Sequence, residues 1–535
     1  MPVTRIDNAT VWTGIAASTG VRVLDAIAFD EDRIIALGDE ARAVDAEVVL
    51  EADGQFVGPA FRDGHAHPMF AGIEDALAPV RGKDSVDAMA AAVADWAATH
   101  ADEVWVRGEG FDASVAPGGV FEASWLDAVV PDRPVVLRAS DYHTVWVNSE
   151  ALNRVGYSAE TPDPRDGEIL RGSGGAPIGT LREWGAWRPV YELLPPRTEV
   201  QNVQAVRSAT QRLAASGITW VQDAWVEPRE AEAWMAAMGT GQIPVRADLA
   251  LWCDPHAWRN QLDHFVAARE QAAGCAAGQL SATTVKFFAD GVIESGTGAL
   301  LAPYHDRANS RGLLNWEAGE LASAVAAVVA LGFAPHIHAI GDAAVRMALD
   351  AIEHAQRLHG RRAARATIAH VQLVDGSDID RFHELGVIAN AEPFWAQRDG
   401  CQLHLTAPRL GPERTERQYQ LRSIIDSGAT LSFGSDWPVT TQHPLDGIEV
   451  AVTRRGSVDE EPLVAEQAIS VEEALTAYTS AVAEQAGDPW GGILRPGYRS
   501  DVVLLDRDPR RVAPDHISSI EVVGTWCDGV RTFGG

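Results

Sequence analysis

The sequence predicts an α/β protein in which a (β/α)8 barrel is joined to two smaller parts. Three observations predict this fold. Short apolar segments alternate with alanine-rich helical stretches through the middle of the chain, both chain ends show apolar residues at every second position, and one connection is too long for a barrel loop. A chain of 535 residues is long enough for one large domain and a smaller companion.

The two ends of the chain are predicted to form one small β-sandwich. Residues 1–56 contain alternating runs such as AIAFDEDRIIALGD, and residues 488–535 repeat this pattern in GYRSDVVLLDRDP and SSIEVVGTWCDGVR. Strands with one apolar face need a partner to bury it, so we expect the two ends to meet.

The barrel is assigned to residues 57–487. Eight apolar segments in this region are bounded by turns or helical stretches: FVGPAF, GITWVQDA, PVRADLALWC, ATTVKFFAD, FAPHIHAIGD, RATIAHVQLV, GVIANAEP and ATLSFGSD. Eight strands that alternate with helices imply a closed parallel barrel, a TIM barrel. The gap after the first strand, about residues 72–212, is far longer than an ordinary βα loop and is interpreted as an inserted subdomain.

Charge and hydropathy exclude several classes of partner. The 44 basic and 75 acidic side chains give a formal net charge of −31, which would repel nucleic acid and anionic lipid. The start MPVTRIDNATVWTG lacks the pattern of a signal peptide, and no run approaches the ~20 apolar residues that cross a bilayer. We therefore expect a cytoplasmic protein with a small-molecule substrate, and a homodimer is the default expectation for its assembly.

Candidate metal ligands recur where the predicted barrel strands end. The spacing in DGHAH places two imidazoles on the same face of a strand, where both can reach one cation. An isolated H-x-H pair is a weak signal, but the carboxyl ends of barrel strands converge on one mouth, which makes the whole set significant. The candidate ligands are His65, His67, Lys286, His338, His370 and Asp436.

Lys286 is a candidate bridge between two metal ions. Lys83 is the only other lysine, and every remaining basic residue is arginine apart from the histidines. A bridge must be anionic, and a neutral lysine amine can become anionic by reacting with carbon dioxide to form a carbamate. The alternative is a buried ion pair with Asp290, but arginine is usually the better partner in such pairs. The sequence therefore favours a carboxylated lysine.

The motifs PAFRDGHAH, VKFFADG, HAIGD, AHVQ and GSDWPV resemble the metal motifs of the amidohydrolase superfamily, in particular its amidohydrolase-3 family. The resemblance extends through the insert, in ASDYHTVWVNSEAL and GTLRE, and through the tail, in ISVEEALTAYTSA and LRPGYRSDVVLLD. Two small departures are Ala60, where the family usually has glycine, and Ser500, where alanine usually precedes Asp501. Neither of these positions is a candidate ligand.

The resemblance implies zinc as the metal and a role for each ligand. It implies His65 and His67 at one ion, His338 and His370 at the second, a bridging carbamate on Lys286, and Asp436 in contact with metal and nucleophile. The sequence alone leaves open whether one or two divalent ions bind.

The leading hypothesis is hydrolysis of a carbon–nitrogen bond other than a peptide bond, such as an N-formyl, N-acyl or cyclic amide. A bound metal lowers the pKa of water from 15.7 to about 7 and polarises the substrate carbonyl. Asp436 would act as general base and then general acid, although a helix-capping role is compatible with its position before WPVT.

The same residues are compatible with other functions. The same metals could hydrolyse a lactone, an ester or a carbamate. A non-catalytic, metal-stabilised binding protein is disfavoured, because it would not need Asp436 beside the metal. An isomerase or decarboxylase on the same barrel is equally disfavoured.

Several further residues are candidate substrate contacts. His143 lies in a motif shared with the family, His336 lies two residues before His338, and tryptophans follow several predicted strands. Each has an alternative role: His336 could instead support a ligand or pack in the core, and the tryptophans could pack helices against the barrel. Together they favour an apolar or aromatic substrate. The candidates are His143, Glu183, Trp225, His336, Trp395 and Trp437.

Overall fold

The computed structural model describes residues 3–15, 24–275, 278–360 and 365–534. These residues contain an eight-stranded parallel sheet, an eight-stranded sheet to which both chain ends contribute, and a separate five-stranded sheet. The predicted (β/α)8 barrel is confirmed, together with two additional sheets: one to which both chain ends contribute, where a small β-sandwich was predicted, and one in the insert.

The terminal sheet joins the first and last strands of the chain. Its order is β21-β20-β19-β5-β1-β2-β3, with β4 paired to β1, and β19 runs antiparallel to β5. Ile6, Phe29, Val57, Val502 and Trp526 are buried in its core. The strands are β1 (Thr4–Val11), β2 (Leu24–Phe29), β3 (Ile34–Leu37), β4 (Val48–Glu51), β5 (Phe56–Pro59), β19 (Val502–Leu505), β20 (Val522–Cys527) and β21 (Val530–Phe533).

The barrel strands follow each other in sequence order, each parallel to the next. The last strand returns to the first at the mouth, where the backbone N–H groups of Ser435 and Asp436 donate to the carbonyl of His65 at 3.1 and 2.7 Å. The strands are β6 (Phe61–Ala66), β12 (Ile218–Val226), β13 (Arg246–Trp252), β14 (Leu280–Phe288), β15 (Ala334–Ala339), β16 (Thr367–His370), β17 (Ile388–Ala391) and β18 (Leu431–Phe433).

The segment FVGPAF, predicted as one strand, belongs to two sheets. β5 ends at Pro59 in the terminal sheet, and β6 begins at Phe61 in the barrel. Between them the backbone N–H of Ala60 donates to Asp501, while that of Phe61 donates to Gly217, both at 3.0 Å. Both strands are buried throughout, so the apolar pattern continues across the point where the chain changes sheets.

The insert forms the five-stranded sheet β10-β11-β9-β8-β7 together with helices α3 to α6. β9 and β11 are antiparallel, so the residue before β9 and the residue after β11 lie at the same end of the pair: the N–H of Glu183 donates to the carbonyl of His143 at 2.9 Å. The strands are β7 (Val106–Phe111), β8 (Val135–Ala139), β9 (Thr144–Val147), β10 (Glu168–Arg171) and β11 (Pro177–Arg182).

The helices α7 to α11 alternate with barrel strands, and most of them bury a face that is rich in alanine. α11, for example, buries Ala344, Ala348, Ile352 and Ala355, which are spaced by about one helical turn. None of the helices in the described part of the chain is long and apolar enough to span a bilayer. Helices α1 to α9 are Asp39–Arg42, Pro68–Glu74, Val86–Thr99, Ala123–Asp127, Ser149–Val155, Trp184–Tyr191, Glu199–Ala215, Pro228–Gly239 and Trp258–Cys275. Helices α10 to α18 are Ala318–Ala330, Asp342–His359, Ile379–Leu385, Ala407–Leu410, Pro412–Thr415, Leu421–Asp426, Pro444–Thr453, Val471–Ala477 and Ser480–Ala486.

Candidate metal centre

Three candidate ligands meet where the first and last barrel strands end. One donor atom from each of His65, His67 and Asp436 lies within 4.8 Å of the other two, and all three side chains are buried. Oδ1 of Asp436 is 2.9 Å from Nε2 of His67 and 3.5 Å from Nε2 of His65. The H-x-H pair and the distant aspartate therefore form one cluster.

Asp63 fixes the position of this cluster through three hydrogen bonds. Its Oδ1 accepts from the backbone N–H groups of His65 and Ser435 at 3.1 and 3.0 Å, and its Oδ2 accepts from the Ser435 hydroxyl at 2.5 Å. Burial raises the pKa of Asp63 to about 7. A single side chain thus ties the end of β6 to the end of β18. Asp63 begins the DGHAH motif, but its role is not among those predicted from the sequence.

The other two histidines lie on the opposite side of the cluster. The ring centroid of His370 is 4.5 Å from that of His338 and 4.6 Å from that of His65. Nε2 of His338 lies 3.1 Å from the carbonyl oxygen of Gly291, and Nδ1 of His370 lies 2.9 Å from Oε2 of Glu392. These contacts orient the rings and leave Nδ1 of His338 and Nε2 of His370 for a metal.

Glu392 is a second residue that the sequence analysis did not single out. It follows β17 directly and is 1% exposed. The sequence signal for Glu392 is its position at the end of a barrel strand, which it shares with the candidate ligands. Its other oxygen, Oε1, has no hydrogen-bond partner among the described residues.

Lys286 is fully buried and lines the same pocket as the candidate histidines. Its Nζ lies 3.3 Å from Nε2 of His65 and 4.6 Å from the ring centroid of Phe288. Burial lowers the pKa of this amine to about 7. Asp290, the alternative ion-pair partner, instead accepts from three backbone N–H groups at 2.7 to 3.0 Å. A buried lysine that is partly neutral near pH 7 has the form that carbon dioxide can carboxylate.

The donor set fits a divalent ion such as zinc. Burial lowers the pKa of His65, His67 and His338, so these imidazoles are neutral, which is the form that binds metal. Within the part of the chain that the structure describes, Oδ1 of Asp436 and Nδ1 of His67 are buried without a hydrogen-bond partner in good geometry. A carboxylate oxygen buried among neutral rings is costly unless a cation compensates it. Imidazole nitrogens and a carboxylate oxygen are typical zinc ligands.

His143 and Glu183 bring the insert to the metal pocket. Nδ1 of His143 lies 2.8 Å from Oε2 of Glu183, and the His143 ring is 5.3 Å from that of His338. The hydroxyl of Thr297 donates to the other oxygen of Glu183. Burial opposes the charge on His143, but attraction to Glu183 outweighs burial and raises the pKa of His143 to about 9.

Two of the predicted tryptophans line the same pocket. The ring of Trp395 stacks on that of His370, with centroids 5.3 Å apart and planes inclined by 2°. Trp225 lies beside Phe288, at 4.9 Å, and its ring is 6.4 Å from that of His67.

Trp437 and His336 lie outside the pocket, contrary to their predicted contact with substrate. The Trp437 ring packs under the guanidinium of Arg212 in the layer between strands and helices, at 5.0 Å. Asp436 has a left-handed backbone conformation, with φ 50°. The chain turns at this residue, so the side chains of Asp436 and Trp437 point in different directions. His336 is fully buried behind His65, with Nε2 2.9 Å from Nδ1 of that ring, and therefore supports a candidate ligand.

The chain is similar to known proteins along nearly its whole length. A model of the amidohydrolase family matches residues 48–533. Protein LONG AFTER FAR-RED 3 of Arabidopsis thaliana is 28% identical over 99% of this chain and 91% of its own length. N-substituted formamide deformylase of Arthrobacter pascens is 28% identical over 99% of this chain and 98% of its own length. An uncharacterized metal-dependent hydrolase from Pyrococcus horikoshii shares the fold, with a TM-score of 0.75 and 22% identity over 96% of this chain and 99% of its own.

Proposed function

The chain belongs to the amidohydrolase family, as its motifs predicted, and from this premise we propose that it is a metal-dependent hydrolase of a non-peptide carbon–nitrogen bond. The proposed substrates are small N-formyl, N-acyl or cyclic amides that carry an apolar or aromatic group. The name of the Arthrobacter pascens relative, an N-substituted formamide deformylase, supports this bond type.

The observation that carries the proposal is the buried cluster of donors at the barrel mouth, in which His65, His67 and Asp436 lie within 4.8 Å of one another. When bound there, a divalent ion, for which we propose zinc, supplies a Lewis acid and lowers the pKa of a water molecule to about 7. The residues proposed to hold one or two such ions are His65, His67, Lys286 as its carbamate, His338, His370 and Asp436.

Asp436 is proposed to move the proton. Its Oδ1 lies 2.9 Å from Nε2 of His67 and 3.5 Å from Nε2 of His65, beside the residues proposed to hold the metal. The carboxylate can therefore accept a proton from the attacking water and pass it to the departing nitrogen, acting as base and then as acid.

His143 is proposed to orient the substrate. Glu183 engages Nδ1 of His143, which leaves Nε2 free to donate to the carbonyl oxygen of a substrate lying between His143 and His338. Donors aimed at a developing oxyanion lower the barrier to acyl transfer.

The direct test is a turnover screen of zinc-loaded protein against N-formyl, N-acyl and cyclic amides, with lactones, esters and carbamates tested in parallel. We expect amide turnover that chelation abolishes and added zinc restores. Turnover restricted to lactones or esters would show that the site hydrolyses the alternative class of bond and not an amide. A well-folded protein with no bound metal, no turnover and no response to zinc would contradict the proposal.

A further inference from the structure

Five aromatic rings form a continuous surface that leads away from the metal pocket. We call this surface, made of Trp184, Trp187, Trp225, Trp252 and Phe288, the aromatic wall. Its ring centroids are close to one another: Trp184 lies 4.7 Å from Trp187, 4.8 Å from Trp252 and 5.2 Å from Trp225, and Trp225 lies 4.9 Å from Phe288. Such spacing is typical of packed aromatic pairs.

The wall bounds a cavity, the aromatic chamber, whose remaining sides include His143, Pro255 and Asn315. The chamber and the metal pocket share Trp225 and Phe288 as lining residues. A group bound in the chamber is therefore the neighbour of a group bound at the metal pocket.

The inner end of the wall touches the reactive residues directly. The Phe288 ring is 5.2 Å from that of His338, and Nζ of Lys286 lies 4.6 Å from its centroid. One substrate of modest length can therefore reach from the metal ligands to the chamber.

The chamber suits a flat apolar group. Trp187, Trp225 and Trp252 are 4%, 7% and 8% exposed, so a ring placed against them would leave water almost completely. The indole N–H groups of Trp187 and Trp225 are buried without an acceptor among the described residues. An acceptor atom on the bound molecule could satisfy such a donor.

Two arginines that contact the aromatic wall disfavour a cationic ligand in the chamber. The guanidinium of Arg188 lies 5.1 Å from the Trp184 centroid and 5.5 Å from that of Trp252, and Arg138 lies 5.0 Å from that of Trp187. Both arginines line the neighbouring cleft rather than the chamber. Three of the four indole rings of the wall, those of Trp184, Trp187 and Trp252, are thus already engaged by positive charge, which weakens their attraction for a cation in the chamber.

The acidic groups at the chamber edge are themselves paired. Glu183 lies 2.8 Å from His143, and Asp166 lies 3.3 Å from Nε2 of His256. Glu183 is therefore already engaged by a buried partner and is not a free counter-ion for a bound ammonium group, while Asp166 contacts the side chain of an exposed histidine.

We infer that the aromatic chamber binds an uncharged planar aromatic substituent of the substrate and discriminates against a cationic one, an inference that rests on the proposed function. The bond to be hydrolysed then lies in the metal pocket, while the ring packs against the aromatic wall.

Binding can be measured on the intact, zinc-loaded protein with ligands that cannot be hydrolysed. Benzylacetone is the ketone analogue of N-benzylacetamide, with CH₂ in place of NH, and its para-tert-butyl and para-trimethylammonio derivatives have the same shape but differ in charge. Calorimetric titration should show the neutral derivative binding about 10-fold more tightly than the cationic one. The cyclohexyl analogue of benzylacetone should bind more weakly than benzylacetone itself.

Equal or tighter binding of the cationic derivative would overturn the inference, as would failure of benzylacetone to bind. Because these ketones contain no hydrolysable bond, their binding is read independently of the turnover screen. Binding without amide turnover would contradict only the proposed function, whereas amide turnover without aromatic binding would contradict only the chamber.

Trp184 is the variant position of choice, because it contacts three other rings of the wall and is only half-buried. Trp184→Ala should weaken binding of benzylacetone by about 5- to 10-fold, the value of one aromatic pair or two, and Trp184→Phe should restore part of it. Trp490→Ala, which removes a 52% exposed tryptophan near the terminal sheet, is the matched control. Unchanged affinity in a Trp184→Ala protein with parental thermal stability would overturn the inference.

Discussion

At the scale of single residues, the proposed chemistry depends most on Asp436, because this carboxylate touches both histidines of the first ligand pair. It is also the one candidate that combines a ligand position with proton transfer. Replacing Asp436 should therefore reduce catalysis while leaving the fold intact.

Asp436→Asn should lower kcat by roughly 100-fold or more, the usual effect of losing a general acid–base group, while the fold is retained. An amide keeps the shape of the side chain but cannot accept the proton. Steady-state kinetics and metal analysis by mass spectrometry test this expectation. Asp426→Asn, at an exposed position in α15, is the control. Near-parental turnover in Asp436→Asn would assign the proton transfer to another group.

Lys286 is the second residue on which the proposed site depends, because its amine nitrogen would carry the bridging carbamate. Two dications about 3.5 Å apart repel unless an anion bridges them. Lys286→Arg keeps a positive charge and should abolish binding of a second ion, whereas Lys286→Ala leaves space for added formate or acetate to restore part of the activity. Metal stoichiometry and rescue assays measure both effects, and electron density shows the carbamate directly. Two bound ions and full activity in Lys286→Arg would rule out the bridge.

At the scale of secondary-structure elements, the site depends on how β6 meets β18. β18 contains only three residues, Leu431–Phe433, so much of the junction at the mouth is made by the backbone and side chain of Ser435. Asp63 accepts from His65 on one side of this junction and from Ser435 on the other, so its loss would leave the two halves of the first ligand cluster less well aligned.

Asp63→Asn should weaken metal binding by about 10- to 100-fold, the usual cost of losing a residue that orients ligands. An amide cannot accept on both atoms at once, so either the Ser435 hydroxyl or the two backbone N–H groups lose their acceptor. Titration of metal-free protein with zinc measures the affinity. Asp53→Asn, in the exposed turn before β5, is the control, and an unchanged zinc affinity in Asp63→Asn would show that Asp63 does not align the ligands.

The elements also explain why the insert matters to a site carried by the barrel. α6 begins at Trp184, directly after Glu183, so a single turn of the insert supplies both the partner of His143 and one ring of the aromatic wall. Movement of this helix would change the orienting residue and the chamber together.

At the scale of the whole molecule, a buried ionic cluster holds the terminal sheet to the barrel. Asp501 precedes β19 and pairs with Arg62 of β6 and Arg246 of β13, and Arg246 also contacts Asp528 at 2.6 Å. Burial would raise the pKa of Asp501, but the two arginines outweigh burial and lower it well below its ordinary value.

Asp501→Asn should destabilise the protein by about 3–5 kcal/mol, because it leaves buried guanidinium groups without their main counter-ion. Since the pKa of Asp501 is lower in the folded state, the stabilisation is present above the unfolded value of about 3.9 and is lost as pH falls through the folded value. Denaturant unfolding of parent and variant should thus differ most near neutral pH and converge in acid. Asp506→Asn, at a more exposed site nearby, should change little. Equal stabilities at pH 7 would show that the cluster does not hold the sheet to the barrel.

The sequence by itself determined the fold class and the candidate ligands of this protein, because both are written in local patterns. A buried parallel strand is a short apolar run, a helix on a barrel has a 3.6-residue period, and H-x-H places two rings on one face of a strand. Since barrel strands all end at one mouth, naming the residues at strand ends was enough to group His65, His67, Lys286, His338, His370 and Asp436.

Only the tertiary structure decided what no local pattern contains. The support of His65 by His336, the alignment of ligands by Asp63 and Glu392, and the outward turn of Trp437 depend on contacts between distant segments or on one backbone angle. The change of sheet at Ala60 cannot be read from the sequence pattern, because the strands on both sides of it are equally buried. The aromatic wall combines side chains from α6, β12, β13 and β14, whose rings meet only after the chain has folded.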